Sequence, residues 1–342
     1  MRCAVVIGRG KYADEIRGFC SNPGPRQEFI RIAQLSDADV HSYSSACAKG
    51  KLFPRLFSSR PVLGSVVHFA SIAKNYNRCY VTGEDIGLPL ALALALRSWK
   101  GRIVCVVHNM TPKKIRFLKI TGHRLFSQFV VASEKQRDIL VQQCSVPQNK
   151  VRAVFNWVDD KFFLSGESPA RNTRPVFMSC GLENRDYDTL VRAARKVDAD
   201  FKIYGHGFFG SSNKRPKECP NVEWMPRVSF DELKNAYAAC DAVILPINNV
   251  NYAAGVTGMV EAMSMGKPVI VSGSRGLKEY LQIYAPRIEV PPGDADALAE
   301  AAIRIIGDPE SLPAYGRSNR EWVLGNCALD NYAQSIAATM RT

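Results

Sequence analysis

Gly255-Val256-Thr257-Gly258, with Glu261 three residues later, is a pattern suited to holding a phosphate and a pair of hydroxyls. Free backbone N–H groups at the start of a helix, together with the positive end of its dipole, favour an anion. A carboxylate about one turn further in can accept hydrogen bonds from two sugar hydroxyls, and Thr257 adds a hydroxyl at the phosphate end. The competing reading is a solvated Glu on an ordinary βαβ crossover. Arg185, in Gly181-Leu182-Glu183-Asn184-Arg185-Asp186-Tyr187, offers a planar fork suited to an anion such as a phosphate. Its alternative partner is a surface carboxylate such as Asp188. Gly8-Arg9-Gly10-Lys11 could let the backbone approach a diphosphate. The third glycine of a dinucleotide fingerprint would fall at Ala13, however, so a plain tight turn explains this run by itself. His108-Asn109 ends an apolar run, where a histidine is more often structural than functional.

Strands and helices must alternate to place these residues at one sheet edge. The strand Ala242 to Pro246 leads into the helix that carries Glu261, and Val269-Ile270 begins the next strand. Cys3 to Ile7, Arg78 to Thr82, Ile103 to Val107, Gln128 to Ala132 and Val151 to Phe155 are the strands expected in the first half. Ser133 and Gln136 have capping-box spacing for a helix ending near Gln143. A polar linker, Asn156 to Arg174, contains Gly166 and Pro169. Beyond it come the strand Val176 to Ser179, a helix near Asp188 to Val197, strands Phe201 to Tyr204 and Val222 to Met225, and a helix Phe230 to Cys240. Arg287 to Val290 is expected as a strand, and Asp294 to Ile306 and Ser318 to Met340 as helices. The pattern predicts an α/β protein with two doubly wound domains.

The 342 residues exceed one comfortable core. Ten cysteines are scattered without a C-x-x-C pair, which fits reduced thiols in the cytosol better than disulfides or a zinc site. The apolar run Ile86 to Leu96 contains Pro89 and is too short to span a bilayer, so a buried helix is expected there. The net charge of +13 is uneven: residues 1–155 carry 24 Lys and Arg against 9 Asp and Glu. Such a half should meet something anionic. Lys113, Lys114, Arg116 and Lys119 alternate with Ile115, Phe117, Leu118 and Ile120. Lys49, Lys51, Arg55 and Arg60 do so with Leu52, Phe53, Leu56 and Phe57. Both clusters suit an anionic membrane surface, although either alone fits a solvated face over a core-facing stripe.

Taken in order, Val130 to Glu134, Val146 to Val151, Asn156, Asp159, Met178 to Leu182, Tyr204-Gly205-His206-Gly207, Leu233 to Pro246 and Glu261 to Ile270 resemble the family-4 retaining glycosyltransferases of the GT-B fold. The resemblance implies two Rossmann-like α/β domains facing across a cleft: residues 1–160, joined by a C-terminal helix from about 320–342, and residues 161–319. The second would bind a nucleotide-diphosphate sugar, with a uridine one expected, and the first a saccharide or lipid-linked acceptor.

In residue terms, the resemblance puts Glu261 on the ribose, Val228 against the base, and His108 beside the donor sugar as an orienting group rather than a general base. Gly8, Gly10, Gly181, Arg185, Gly255, Val256, Thr257 and Gly258 would complete the nucleotide-sugar site. The first glutamate of the family's paired motif would fall at Ala253, and an arginine common after the glycine is replaced by Leu182. Front-face chemistry needs no protein nucleophile, and neither a metal nor a cofactor is expected. The expected location is cytoplasmic, peripheral on the inner face of the membrane. The rival readings are a nucleotide-sugar-binding protein without turnover and a nucleic-acid-binding protein. Against the second, the chain shows no recognition motif and no aromatics interleaved as stacking platforms, so nucleic acid is not expected as a partner.

Overall fold

The computed structural model describes residues 2–8, 24–47, 57–164, 173–205, 219–283 and 288–341. Gly10 and its neighbours Arg9 and Lys11, the cluster residues Lys49, Lys51, Leu52, Phe53, Arg55 and Leu56, His206-Gly207 and Arg287 lie outside those residues.

The chain divides into two units, residues 1–154 with 330–342, and residues 155–329. In the first, β1 (Cys3–Val6), β2 (Ala38–His41), β3 (Arg78–Val81), β4 (Arg102–Val107), β5 (Phe126–Val131) and β6 (Val151–Ala153) form one sheet in the order β2-β1-β3-β4-β5-β6. In the second, β7 (Val176–Cys180), β8 (Asp200–Tyr204), β9 (Val222–Trp224), β10 (Ala242–Leu245), β11 (Val269–Ser272) and β12 (Ile288–Val290) are ordered β12-β11-β10-β7-β8-β9. All pairings within both sheets are parallel. Both sheets are therefore doubly wound.

The apolar runs are continuous because these strands are covered on both faces. Val243, Leu245, Val269 and Val271 enter one core of the second unit with Met259, Val260 and Met263, whereas Ala242, Ile244 and Ile270 enter another with Leu190, Leu298 and Ile305. Edge strand β2 had no apolar signature: its four residues are Ala-Asp-Val-His and are only partly buried. It exists through its pairing with β1.

The C-terminal segment differs from the single helix expected. Leu312–Asn326 and Leu329–Arg341 are separate helices, interrupted where Ala328 forms a β-bridge with Val158. Leu312–Asn326 is anchored in the second unit, with Asn319 Nδ2 donating to the Lys267 carbonyl at 2.7 Å. The chain returns to the first unit at Asp330, where the carboxylate receives Arg31 Nε at 2.7 Å. Pro89 is accommodated inside the helix Glu84–Leu96. The helix after Ser133 is α-helical only over Glu134–Asp138 and continues as a π-helical turn, Ile139–Gln143.

Candidate functional site

In the second unit, adjacent strands β7 and β10 deliver two loops to the same carboxyl edge, the place where open α/β sheets bind ligands. The loops are tied together by Asp186 N donating to the Pro246 carbonyl at 2.8 Å, by Asn248 N donating to the Asn184 carbonyl at 2.9 Å, and by a bridge between Arg185 and Ile247. Arg185 is 8% exposed. Its Nε donates to the Cys180 carbonyl at 2.8 Å and its Nη1 to the Glu183 carbonyl at 2.9 Å. Both neighbouring glycines are required by this placement. Gly181 (φ 95°) and Gly255 (φ 82°) are left-handed, and a Cβ at Gly181 would lie 2.5 Å from Nη2, one at Gly255 3.2 Å from Nη1. The sequence alternative of a surface pair with Asp188 is overturned: the guanidinium is buried against the backbone of its own turn.

Gly255 opens the helix Val256–Ser264, which has no side-chain cap and no acidic residue in its first turn. The Val256 side chain is buried and Gly258 packs on Cys180, so these positions offer backbone rather than side chains. Thr257 is exposed, and its hydroxyl accepts from Asn156 Nδ2 at 3.4 Å. One turn in, Glu261 is no freely solvated carboxylate. Tyr237 Oη donates to its Oε2 at 2.9 Å and lies 3.0 Å from Cys180 Sγ. Burial pushes the Glu261 carboxyl up to about 7, while the Tyr237 hydrogen bond and the charge of Arg185 pull the other way. Val228 is half-buried beyond β9, just before Ser229, which with Glu232 forms a reciprocal capping box. Lys267 is bonded to the Ala238 and Cys240 carbonyls at 2.7 and 2.8 Å and serves its turn.

In the first unit, His108 is exposed at the end of β4. Its backbone N donates to Glu84 Oε2 at 2.7 Å, and its carbonyl accepts from Gln136 Nε2, also at 2.7 Å. Its Nε2 lies 2.8 Å from the Thr82 carbonyl and must carry the proton to donate there. Glu84, 2% exposed, also takes Asn109 N at 3.2 Å and Lys114 Nζ at 2.6 Å.

Lys114 therefore departs from the expected membrane-facing role. It is drawn inward to Glu84 and Asp85, while Lys113, Arg116 and Lys119 remain exposed. Gly8 is buried, and a Cβ there would lie 3.0 Å from Ile86 Cδ1, so helix packing is the role its surroundings define. Sequence reasoning missed Glu84 and Tyr237 and read Gln136 only as a cap. Glu84 carried a signal, as an acid in the first turn of a helix directly after a strand. Among the described residues no group of three or more His, Cys, Asp or Glu side chains is placed to hold a metal ion.

Residues 174–308 match the family model described as glycosyl transferases group 1. A GDP-mannose-dependent monoacylated alpha-(1-6)-phosphatidylinositol monomannoside mannosyltransferase of Corynebacterium glutamicum is 28% identical over 44% of this chain and 43% of its own length. An uncharacterized glycosyltransferase of Methanocaldococcus jannaschii is 24% identical over 60% of this chain and 55% of its own. The chain thus spans about half the length of the curated relatives it matches. The structure of Anabaena HepE in complex with UDP-glucose covers 100% of this chain and 99% of its own, with a TM-score of 0.76 at 16% identity. The chain has the GT-B fold, and its residues 174–308 match the family model of the group 1 glycosyltransferases.

Proposed function

We propose that the chain transfers a glycosyl group, with retention of configuration and without a metal, from a nucleoside-diphosphate sugar to a saccharide or lipid-linked acceptor at a cytosolic membrane surface. One observation carries this reading: the uncapped helix start at Gly255, the buried Arg185 fork and the half-buried Glu261 meet at one strand edge. The helix N-terminus and Arg185 suit a diphosphate, and Glu261 a pair of ribose hydroxyls. Departure of the diphosphate then places new negative charge on groups already fixed before reaction. The relatives' names support a nucleoside-diphosphate hexose, GDP-mannose in one and UDP-glucose in another. A uridine donor is the version proposed here.

The membrane part is supported by the first unit. Helices Pro61–Ile72, Glu84–Leu96 and Pro112–Thr121 share one core and expose Leu63, Val67, Leu92, Leu96 and Ile120 on their outer sides. Leu96 is 80% exposed, and Ile120, on the same helix as the exposed Lys113, Arg116 and Lys119, is 76% exposed. Apolar side chains among lysines and arginines suit an anionic interface. No helix among the described residues is long and apolar enough to cross a membrane. The name of the Corynebacterium relative includes a phosphatidylinositol mannoside, which supports a lipid-linked acceptor.

A thermal-shift screen of nucleotide sugars, followed by a donor-hydrolysis assay, tests the proposal. A specific donor should raise the melting temperature by mass action and be slowly hydrolysed. Absence of any shift across UDP-, GDP- and ADP-sugars would sink it. Stabilisation without hydrolysis or transfer would favour a binding protein, a reading supported by Ala253, which brings no polar group to the loop before Gly255.

A further inference from the structure

We infer that Glu183 and Tyr252 form the subsite for the hydroxyls of the transferred glycosyl group, an inference that rests on the nucleotide-sugar reading above. Glu183 is an exposed residue in the same turn as Arg185. Its backbone carbonyl receives Arg185 Nη1 at 2.9 Å, so the carboxylate is fixed relative to the group assigned to the diphosphate. Across the junction of the two loops, Tyr252 Oη donates to Glu183 Oε1 at 2.6 Å, and Asn184 Nδ2 donates to Tyr252 Oη. Asn184 has a left-handed backbone, φ 52°, a conformation that asparagine adopts more readily than most side chains.

The result is a carboxylate with one oxygen anchored. Its second oxygen has no partner among the described residues. This is the donor–acceptor arrangement that recognises adjacent hydroxyls: an ionised carboxylate accepts from two of them, and a tyrosine keeps its geometry fixed. Anionic ligands do not explain the pair, because a free carboxylate repels phosphate. Nor does stability, since an exposed tyrosine–carboxylate hydrogen bond contributes little there. The adjacent Ala253 has no polar side chain, and Tyr252 is the residue of its loop that bonds to the Glu183 carboxylate. Gly276 fits tightly against this loop: a Cβ there would lie 2.0 Å from the Tyr252 carbonyl oxygen, so Tyr252 is held from behind.

The test compares affinities for UDP-glucose and UDP, and for GDP-mannose and GDP, in the unsubstituted protein and in Glu183→Ala and Tyr252→Phe. Discrimination between sugar nucleotide and bare diphosphate should fall about tenfold or more in Glu183→Ala and less in Tyr252→Phe, with diphosphate affinity held within about twofold. A parallel loss for both ligands would make the pair structural and overturn the inference, as would unchanged discrimination. If the unsubstituted protein binds none of the four and no ADP-sugar either, the nucleotide-sugar reading fails first and this inference falls with it. That outcome is separable because it appears before any substitution.

Discussion

The buried hydroxyl of Tyr237 lies 2.9 Å from Oε2 of half-buried Glu261 and 3.0 Å from Sγ of buried Cys180. Burial raises this hydroxyl well above its ordinary range, so Tyr237 remains a donor at any physiological pH. Glu261 thus has one oxygen held from behind while it titrates near neutrality.

Stability should carry the signature of that titration. A carboxyl raised from 4.5 to about 7 by burial binds its proton more tightly folded than unfolded. Its contribution is full below about pH 4.5 and is lost as pH rises through 7. Urea unfolding at pH 5 and pH 8 should show Glu261→Gln losing less stability than the unsubstituted protein over this interval, by about 1–3 kcal/mol. Identical pH slopes would remove Glu261 as the source.

Ligand affinity should move in the opposite direction. Ribose hydroxyls donate to the ionised carboxylate, so nucleotide affinity should rise from pH 6 to pH 8, by up to about tenfold. Isothermal titration with Glu261→Ala should give weaker and pH-flat binding. An unchanged affinity in that variant means the ribose is held elsewhere.

Arg185→Lys keeps the charge and discards the fork. The two carbonyl contacts that fix the guanidinium would be lost, and donor hydrolysis or transfer should drop about 100-fold. The melting temperature should fall only by a few degrees. Full activity in this variant excludes Arg185 from the diphosphate site.

Gly255→Ala tests the space that Arg185 needs. The added Cβ would lie 2.4 Å from Ile247 Cδ1 and 3.2 Å from Arg185 Nη1, at φ 82°. Destabilisation of about 1–3 kcal/mol should accompany weaker donor binding. Stability and affinity both at the original level would show that the turn can relax.

The basic helix separates into two chemistries. Reversing Lys113, Arg116 and Lys119 together should release the protein from vesicles containing anionic lipid and leave its melting temperature nearly unchanged. Lys114→Ala instead leaves Glu84 and Asp85 without their cation. It should cost about 1–3 kcal/mol and disturb the His108 turn. Retention of the triple variant on vesicles would show that these three side chains do not hold the protein at the membrane.

Several strands ended a residue or two from their expected limits because apolar alternation marks what is buried, not where ladder pairing stops. Strand β2 was illegible because an exposed edge strand needs no apolar run. The break at Cys327 was likewise hidden, since Ser318 to Met340 remains helix-compatible throughout. The Val158 bridge, the anchoring of Asn319 to the Lys267 carbonyl and the Arg31–Asp330 pair divide it between units.

By itself, the sequence determined the α/β alternation, the basic first half and the residue types at the strand ends: Gly255, Thr257, Glu261 and Arg185. These follow from local periodicity and from side-chain chemistry that each residue carries regardless of its neighbours. Tertiary structure alone decided their partners. It turned Arg185 inward between two left-handed glycines, set Tyr237 behind Glu261, drew Lys114 to Glu84 and joined Glu183 to Tyr252 across 69 positions of chain. The physical reason is that hydrogen bonds and desolvation act over a few ångströms of space. Residues far apart in sequence meet at that range only once the packed strands and helices bring their segments together.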